Sequence, residues 1–157
     1  MYGMIDKDHT IMSGINSRLD EIQAAMLSVK LKYLDKMNED RNKVAQNYIK
    51  NLPKDLLVNQ FIPNNIFCNY HVFSARFKGN RDKFLKFLTK KAIWTNIYYP
   101  VPLHLQEALS FLGYKKHDFP QTEELCMQVI ALPMYSHMPL RIQDEIIAKI
   151  NSYQEKN

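Results

Sequence analysis

The sequence predicts an α+β domain in which a long N-terminal helix and several shorter helices cover a small, mainly antiparallel sheet. Three observations carry that prediction. Apolar residues recur at helical spacing from Arg18 to about Leu52. The segment 69–78, NYHVFSARFK, alternates like a half-buried strand. The stretches after residue 80 alternate between short amphipathic helical patterns and β-branched or aromatic runs. With 157 residues there is chain enough for one core, so residues 1–157 read as a single domain.

Each element has its own signature. In the long helix, Leu19, Ile22, Met26, Val29, Tyr33, Met37, Val44, Tyr48 and Leu52 form one stripe, and Leu27, Leu31 and Leu34 add a second in its first half. A helix apolar on two sides is normally packed between neighbours. SRLD marks its start, with Ser17 as cap and Asp20 and Glu21 near the positive helix end, and Pro53 lies just past its finish. The strand at 69–78 places Tyr70, Val72 and Ser74 on one face and His71, Phe73 and Ala75 on the other. NRDKFLKFLTKKA predicts a short helix with Phe84, Leu85 and Leu88 inward. IWTNIYY predicts a second strand. LHLQEALSFLG predicts a short helix closed by Gly113, and DFPQTEELCMQVIALP a helix opened by Pro120 with Glu123 and Glu124 at its positive end. PLRIQDEIIAKINSY ends the chain as a helix with Ile142, Ile146, Ile150 and Tyr153 on one face.

Composition narrows the function. At 46% hydrophobic and 24% charged residues the chain is an ordinary globular one, without a run of the roughly 18 apolar residues that span a bilayer. MYGMIDKDHT has no basic-then-apolar leader, so a cytoplasmic location and no membrane partner are expected. Cys68 and Cys126 are far apart and suit reduced thiols, not a disulfide framework. His9, His117 and His137 lack ligand spacing, so no metal site is expected. The net charge of +5 would suit an anionic partner, but the lysines interleave with acids, as in KLKYLDKMNEDR. That is the pattern of a solvated helix face, and nucleic acid is not an expected partner.

One stretch resists a purely structural account. NIYYPVPLHLQ, residues 96–106, holds two tyrosines, two prolines and a histidine. Residues before proline are driven out of the helical region, so Tyr99 and Val101 should be extended and the loop stiff. Such a loop either holds Tyr98, Tyr99 and His104 ready for sugar or phosphate oxygens, or is a rigid connector whose rings merely pack.

GINSRLDEIQAAMLSVKLKYLD, YYPVPLHLQ, LGYKKHDFPQTEEL and ALPMYSHM occur in that order. Together they resemble the C-terminal part of the DegT/DnrJ/EryC1/StrS aminotransferases, over about Ser13 to Tyr153. The resemblance implies the small C-terminal domain of a fold-type I aminotransferase. It implies a complete enzyme that uses pyridoxal 5'-phosphate to aminate a keto group on a nucleotide-linked deoxysugar, at the 3-position rather than the 4-position, with glutamate as donor. It implies a homo-oligomer with sites between subunits, and a role in polysaccharide or glycan synthesis. Asn16 matches the family asparagine that reaches the cofactor phosphate, an apt role for an amide beside a helix start, while Asn16 or Ser17 would also serve as a helix cap. Arg18, Tyr98, Tyr99 and His104 match substrate-facing positions. Arg18 also reads as a surface arginine, and Tyr98 departs from the histidine common at its position. A phenol still donates a hydrogen bond but carries no cation near neutral pH. His71 and Phe73 are expected to be mainly structural.

In that family the block around Asn16 lies well inside the protein, so the chain is expected to be the back portion of such an enzyme. The large domain carries the Schiff-base lysine, the acid that pairs with the cofactor's ring nitrogen and the stacking aromatic. No lysine here sits in a resembling context, so no catalytic residue is assigned and the chain alone is expected to be inactive. The alternative is a non-catalytic remnant that acts as a dimerisation or interaction module.

Overall fold

The computed structural model describes residues 3–154, so Met1 and Tyr2 of the opening segment lie outside the described residues. Two compact units divide the chain, residues 1–36 and 37–157.

The first unit begins with a tight reversal. Met4 bridges Thr10, and Asp6 accepts the backbone N–H groups of Asp8 and His9 at 2.9 and 3.0 Å. Gly3 sits at φ +70°, where a Cβ would lie 1.8 Å from the Met12 carbonyl oxygen, so only glycine fits. An irregular stretch leads to α1, Glu21–Leu31, in which no residue is buried.

The single long helix expected from Arg18 to Leu52 is two helices, α1 and α2, Leu34–Asn51. At the break Tyr33 N–H donates to Lys30 O, a three-residue closure in place of the four-residue one. Helix continuity comes mostly from tertiary packing of an amphipathic face. The later half has it, through buried Val44, Ala45 and Tyr48; α1 has no buried side chain to enforce it. Leu19, Ile22, Met26, Leu27, Leu31 and Leu34 are all exposed, as expected of an apolar stripe whose covering neighbour would be the large domain of a complete family member. Ser17 is not the cap. Asp20 takes that position, without a side-chain cap bond.

The second unit holds the core. Strands β1 (Leu57–Asn59), β2 (Phe73–Phe77) and β3 (Val129–Leu132) form an antiparallel sheet in that spatial order. Register pairs Leu57 with Phe77 and Ala75 with Ile130. Alternation puts Phe73, Ala75 and Phe77 inward; the sequence predicts that the first two share a face, and the fold decides that this face is the buried one. They meet Tyr48 of α2, Phe84 and Leu88 of α3 (Arg81–Lys90), and Ile146, Ile147 and Ile150 of α5 (Leu140–Asn151) in one cluster. Phe77 and Phe84 stack with centroids 4.3 Å apart, and Tyr153 meets Phe84 edge-on at 4.8 Å. Each such ring contributes about 1.5–3 kcal/mol through burial. Asn80 caps α3 by accepting Lys83 N–H at 2.9 Å.

Three expectations for this unit change. The 93–99 strand reduces to one bridge, in which Asn96 and Ala131 exchange backbone bonds of 3.2 and 2.8 Å. Pro100 and Pro102 cannot donate to a ladder, so pairing goes no further. The 103–113 helix is two 3₁₀ segments, Leu103–Leu105 and Glu107–Leu112, ended by Gly113 at φ +77°. The helix opened by Pro120, α4 (Pro120–Gln128), stops at Gln128, and its expected tail VIAL is β3.

Candidate functional site

Asn16 and Arg18 belong to the first unit, in the irregular exposed stretch just before α1. Tyr98, Tyr99 and His104 belong to the second unit, on the connection between the Asn96 bridge and α4. The structure divides these three between two clefts.

Tyr98 opens into a cleft of about 390 Å³ with Arg41, His71, Trp94 and Asn96, floored by β3 at Ala131 and Leu132 and by Pro133. Asn96 Nδ2 donates to the Tyr98 hydroxyl at 3.0 Å, which leaves that O–H able to donate onward. Arg41 Nη1 donates to the His71 carbonyl at 3.2 Å. Trp94 stands 76% exposed. His71, expected to be mainly structural, lines this cleft; Phe73 is core.

Tyr99 and His104 line a second cleft of about 480 Å³ with Pro100, Pro102, Phe119 and Cys126. Its lining is largely apolar. His104 does not project freely: its side chain is 8% exposed and its Nε2 meets Glu123 Oε1 at 3.2 Å. Phe119 lies edge-on to the imidazole at 4.9 Å, and Tyr114 edge-on to Phe119 at 5.2 Å. The same Glu123 oxygen accepts His117 N–H at 2.7 Å. Burial pushes the Glu123 carboxyl up, but the His117 N–H, the His104 hydrogen bond and the field of both imidazoles outweigh it and hold it below its ordinary value. The carboxylate therefore anchors the loop and turns His104 Nδ1 into the only ring nitrogen not committed to Glu123.

Sequence reasoning passed over Arg41, Trp94, Asn96 and Glu123 as site residues. Arg41 sits among alternating charges on a helix that reads as solvated, and Glu123 reads as a favourable charge at a helix start. The one available signal was Trp94, the sole tryptophan, next to the proline-rich loop.

Among the described residues, neither cleft beside the Tyr98–Tyr99 loop presents the amine and acid that pyridoxal phosphate requires. The lining of the Arg41 cleft contains neither lysine nor carboxylate, and that of the Tyr99 cleft likewise. A third cleft brings Lys116 together with Glu123 and Glu124, but Glu123 is already held by His104 and His117.

A model of the DegT/DnrJ/EryC1/StrS aminotransferase family matches residues 2–151. The chain is 37% identical to a pleiotropic regulatory protein of Geobacillus stearothermophilus, with 98% of the chain and 42% of that protein covered. It is 33% identical to the dTDP-3-amino-3,6-dideoxy-alpha-D-galactopyranose transaminase of Aneurinibacillus thermoaerophilus, with 97% and 41% covered. Among solved structures it superposes on S. venezuelae DesV with a TM-score of 0.86 at 30% identity, with 99% of the chain and 42% of that chain covered. A Brucella abortus aminotransferase gives 0.83 at 32%, with 99% and 41% covered. The chain thus spans about two fifths of the length of the proteins it matches.

Proposed function

The chain belongs to the DegT/DnrJ/EryC1/StrS aminotransferase family, and from that premise we propose that it is the sugar-facing C-terminal part of a pyridoxal phosphate-dependent nucleotide-sugar aminotransferase. In that reading the complete enzyme moves an amino group from glutamate to a 3-keto, nucleotide-linked deoxysugar for polysaccharide or glycan synthesis. The observation that carries it is the pair of adjacent clefts that share the Tyr98–Tyr99 loop. One presents Arg41, Asn96 and a phenol, and the other an apolar wall. A sugar nucleotide has those two chemistries, an oxygen-rich part and a flat base. A relative at 33% identity is a dTDP-3-amino sugar transaminase, which supports the 3-position.

The cofactor's reactive chemistry lies outside this chain's own residues, and no step is assigned to them. Asn16 is proposed to donate its amide to the cofactor phosphate. Arg18, Tyr98 and Tyr99 are proposed to bind substrate oxygens, and His104 to position the loop through Glu123 while offering Nδ1 to the substrate. A cytoplasmic location is proposed for the chain; no helix among the described residues is long and apolar enough to cross a membrane.

The test is reconstitution. The chain is mixed with the separately expressed lysine-bearing domain of a family member, and amino transfer from glutamate to a dTDP-3-keto-6-deoxysugar is followed by mass spectrometry. Product is expected only with both polypeptides, and Asn16→Ala should lower turnover at least tenfold. A mixture that associates but leaves the keto sugar untouched would overturn the reading.

The exposed apolar side chains of α1 favour a second reading, in which the chain is a non-catalytic dimerisation or interaction module. Self-association is expected in either case. Ile22→Ser with Met26→Ser should abolish association in sedimentation; loss of reconstituted turnover with it supports the enzyme reading, whereas a wild-type chain that associates but never supports turnover supports the module.

A further inference from the structure

The cleft between α2, the 93–98 segment and β3 carries chemistry that the two tyrosines alone do not explain. Its one full charge is the Arg41 guanidinium, and no carboxylate is among its lining residues. The neighbouring acid on the helix, Asp40, is engaged elsewhere, with Lys43 at 3.5 Å and His137 at 4.0 Å. Arg41 is half-buried, and one of its N–H groups is fixed by the His71 carbonyl. A guanidinium has five donors in a rigid plane, so tethering one of them orients the rest.

The remaining lining is also suited to a ligand. Tyr98 accepts from Asn96 and so keeps its own O–H to donate. His71 is exposed at the rim. Trp94 offers an indole with little cover from the protein, a surface on which a sugar ring's C–H face can rest. A volume of about 390 Å³ is at the small end of ligand sites, enough for one sugar-sized molecule.

We propose that this cleft is an oxyanion subsite, in which Arg41 binds the carboxylate or phosphate of a sugar-sized ligand while Trp94 and Tyr98 contact its body. Arginine pairs with two oxygens of a carboxylate or phosphate in a charge-assisted geometry that a neutral sugar cannot provide. Binding here would select acidic over neutral ligands. The proposal rests on the aminotransferase reading only for the ligand's biological source, because the binding itself belongs to this chain.

Trp94 supplies the readout. As the only tryptophan in the sequence, its emission reports on this cleft without interference. The full chain is titrated with glucuronate, glutamate, inorganic phosphate and glucose at fixed ionic strength. A saturable emission change with at least one of the three anions, and none with glucose, is expected; the anion that saturates at the lowest concentration identifies the source as sugar acid, amino-acid donor or phosphate. Arg41→Gln should weaken that binding at least tenfold. Lys86→Gln removes one charge from the exposed side of α3 and should leave it unchanged. If Arg41→Gln fails to fold, Arg41→Lys decides, since it keeps the charge and loses the fork and should still bind several-fold more weakly. The proposal is overturned by the absence of saturation with all three anions, by an equal response to glucose, or by equal losses in the arginine and Lys86 variants. Each of those outcomes is read separately from the reconstitution assay, in which product formation decides the aminotransferase reading.

Discussion

Helices α1 and α5 have similar lengths and similar apolar residues, yet opposite fates. In α5 Ile146, Ile147 and Ile150 are buried against the sheet. In α1 Ile22 remains 74% exposed, and Met26, Leu27, Val29 and Leu31 are exposed with it. The α5 stripe stays on one side and is matched by inward residues of β2. The α1 apolar residues are spread over two sides, and none is buried. Apolar periodicity tells which helix faces seek burial; whether they find it depends on what else the fold supplies.

The contrast predicts a steep gradient of mutational cost. Phe84→Ala removes a ring that is fully buried between Phe77 and Tyr153 and should lower stability by about 3–5 kcal/mol, read by urea unfolding. Ile22→Ala should change it by less than about 0.5 kcal/mol. Equal losses would erase the distinction between the two helices.

A smaller effect is expected at Tyr48, whose hydroxyl donates to the Pro133 carbonyl at 2.9 Å and whose burial, with Tyr135 nearby, keeps the phenol protonated far above its ordinary range. Tyr48→Phe leaves that carbonyl without its donor and should cost about 1–2 kcal/mol in the same assay. Helix caps sharpen the comparison further. Asn80→Ala should cost about 1 kcal/mol, whereas Asp20→Ala, which removes no cap bond, should cost only a few tenths.

The smallest expected effect is pH-dependent. Glu123 is depressed in the folded chain, so its contribution is complete above the unfolded glutamate value. It is lost as pH falls through the lower folded value. Thermal unfolding of the wild type should therefore decline below the ordinary carboxylate range more steeply than that of Glu123→Gln. Parallel acid limbs would show that the His104–Glu123 contact does not hold the loop.

Much of this was legible before the fold. The β2 alternation, the α3 pattern, Pro120 opening α4 and Gly113 closing its segment all follow from local chemistry. The VIAL strand was not, because it follows α4 without a breaker and its apolar residues continue a helical spacing. Only pairing with β2 turns Val129–Leu132 into a strand. The site was half legible. Tyr98, Tyr99 and His104 stand out in a proline-rich loop, but nothing in their order reveals that one faces Arg41 and the others a separate wall.

By itself the sequence determined the helix-forming segments, the stiff loop and the family, because those depend on side-chain periodicity, proline geometry and ordered motifs. Tertiary structure decided the break at Tyr33, the strand at Val129 and the meeting of Arg41 with Trp94, Asn96 and Tyr98. The last two depend on pairing and packing between residues roughly fifty to sixty positions apart, and the first on where burial stops, none of which a local pattern encodes.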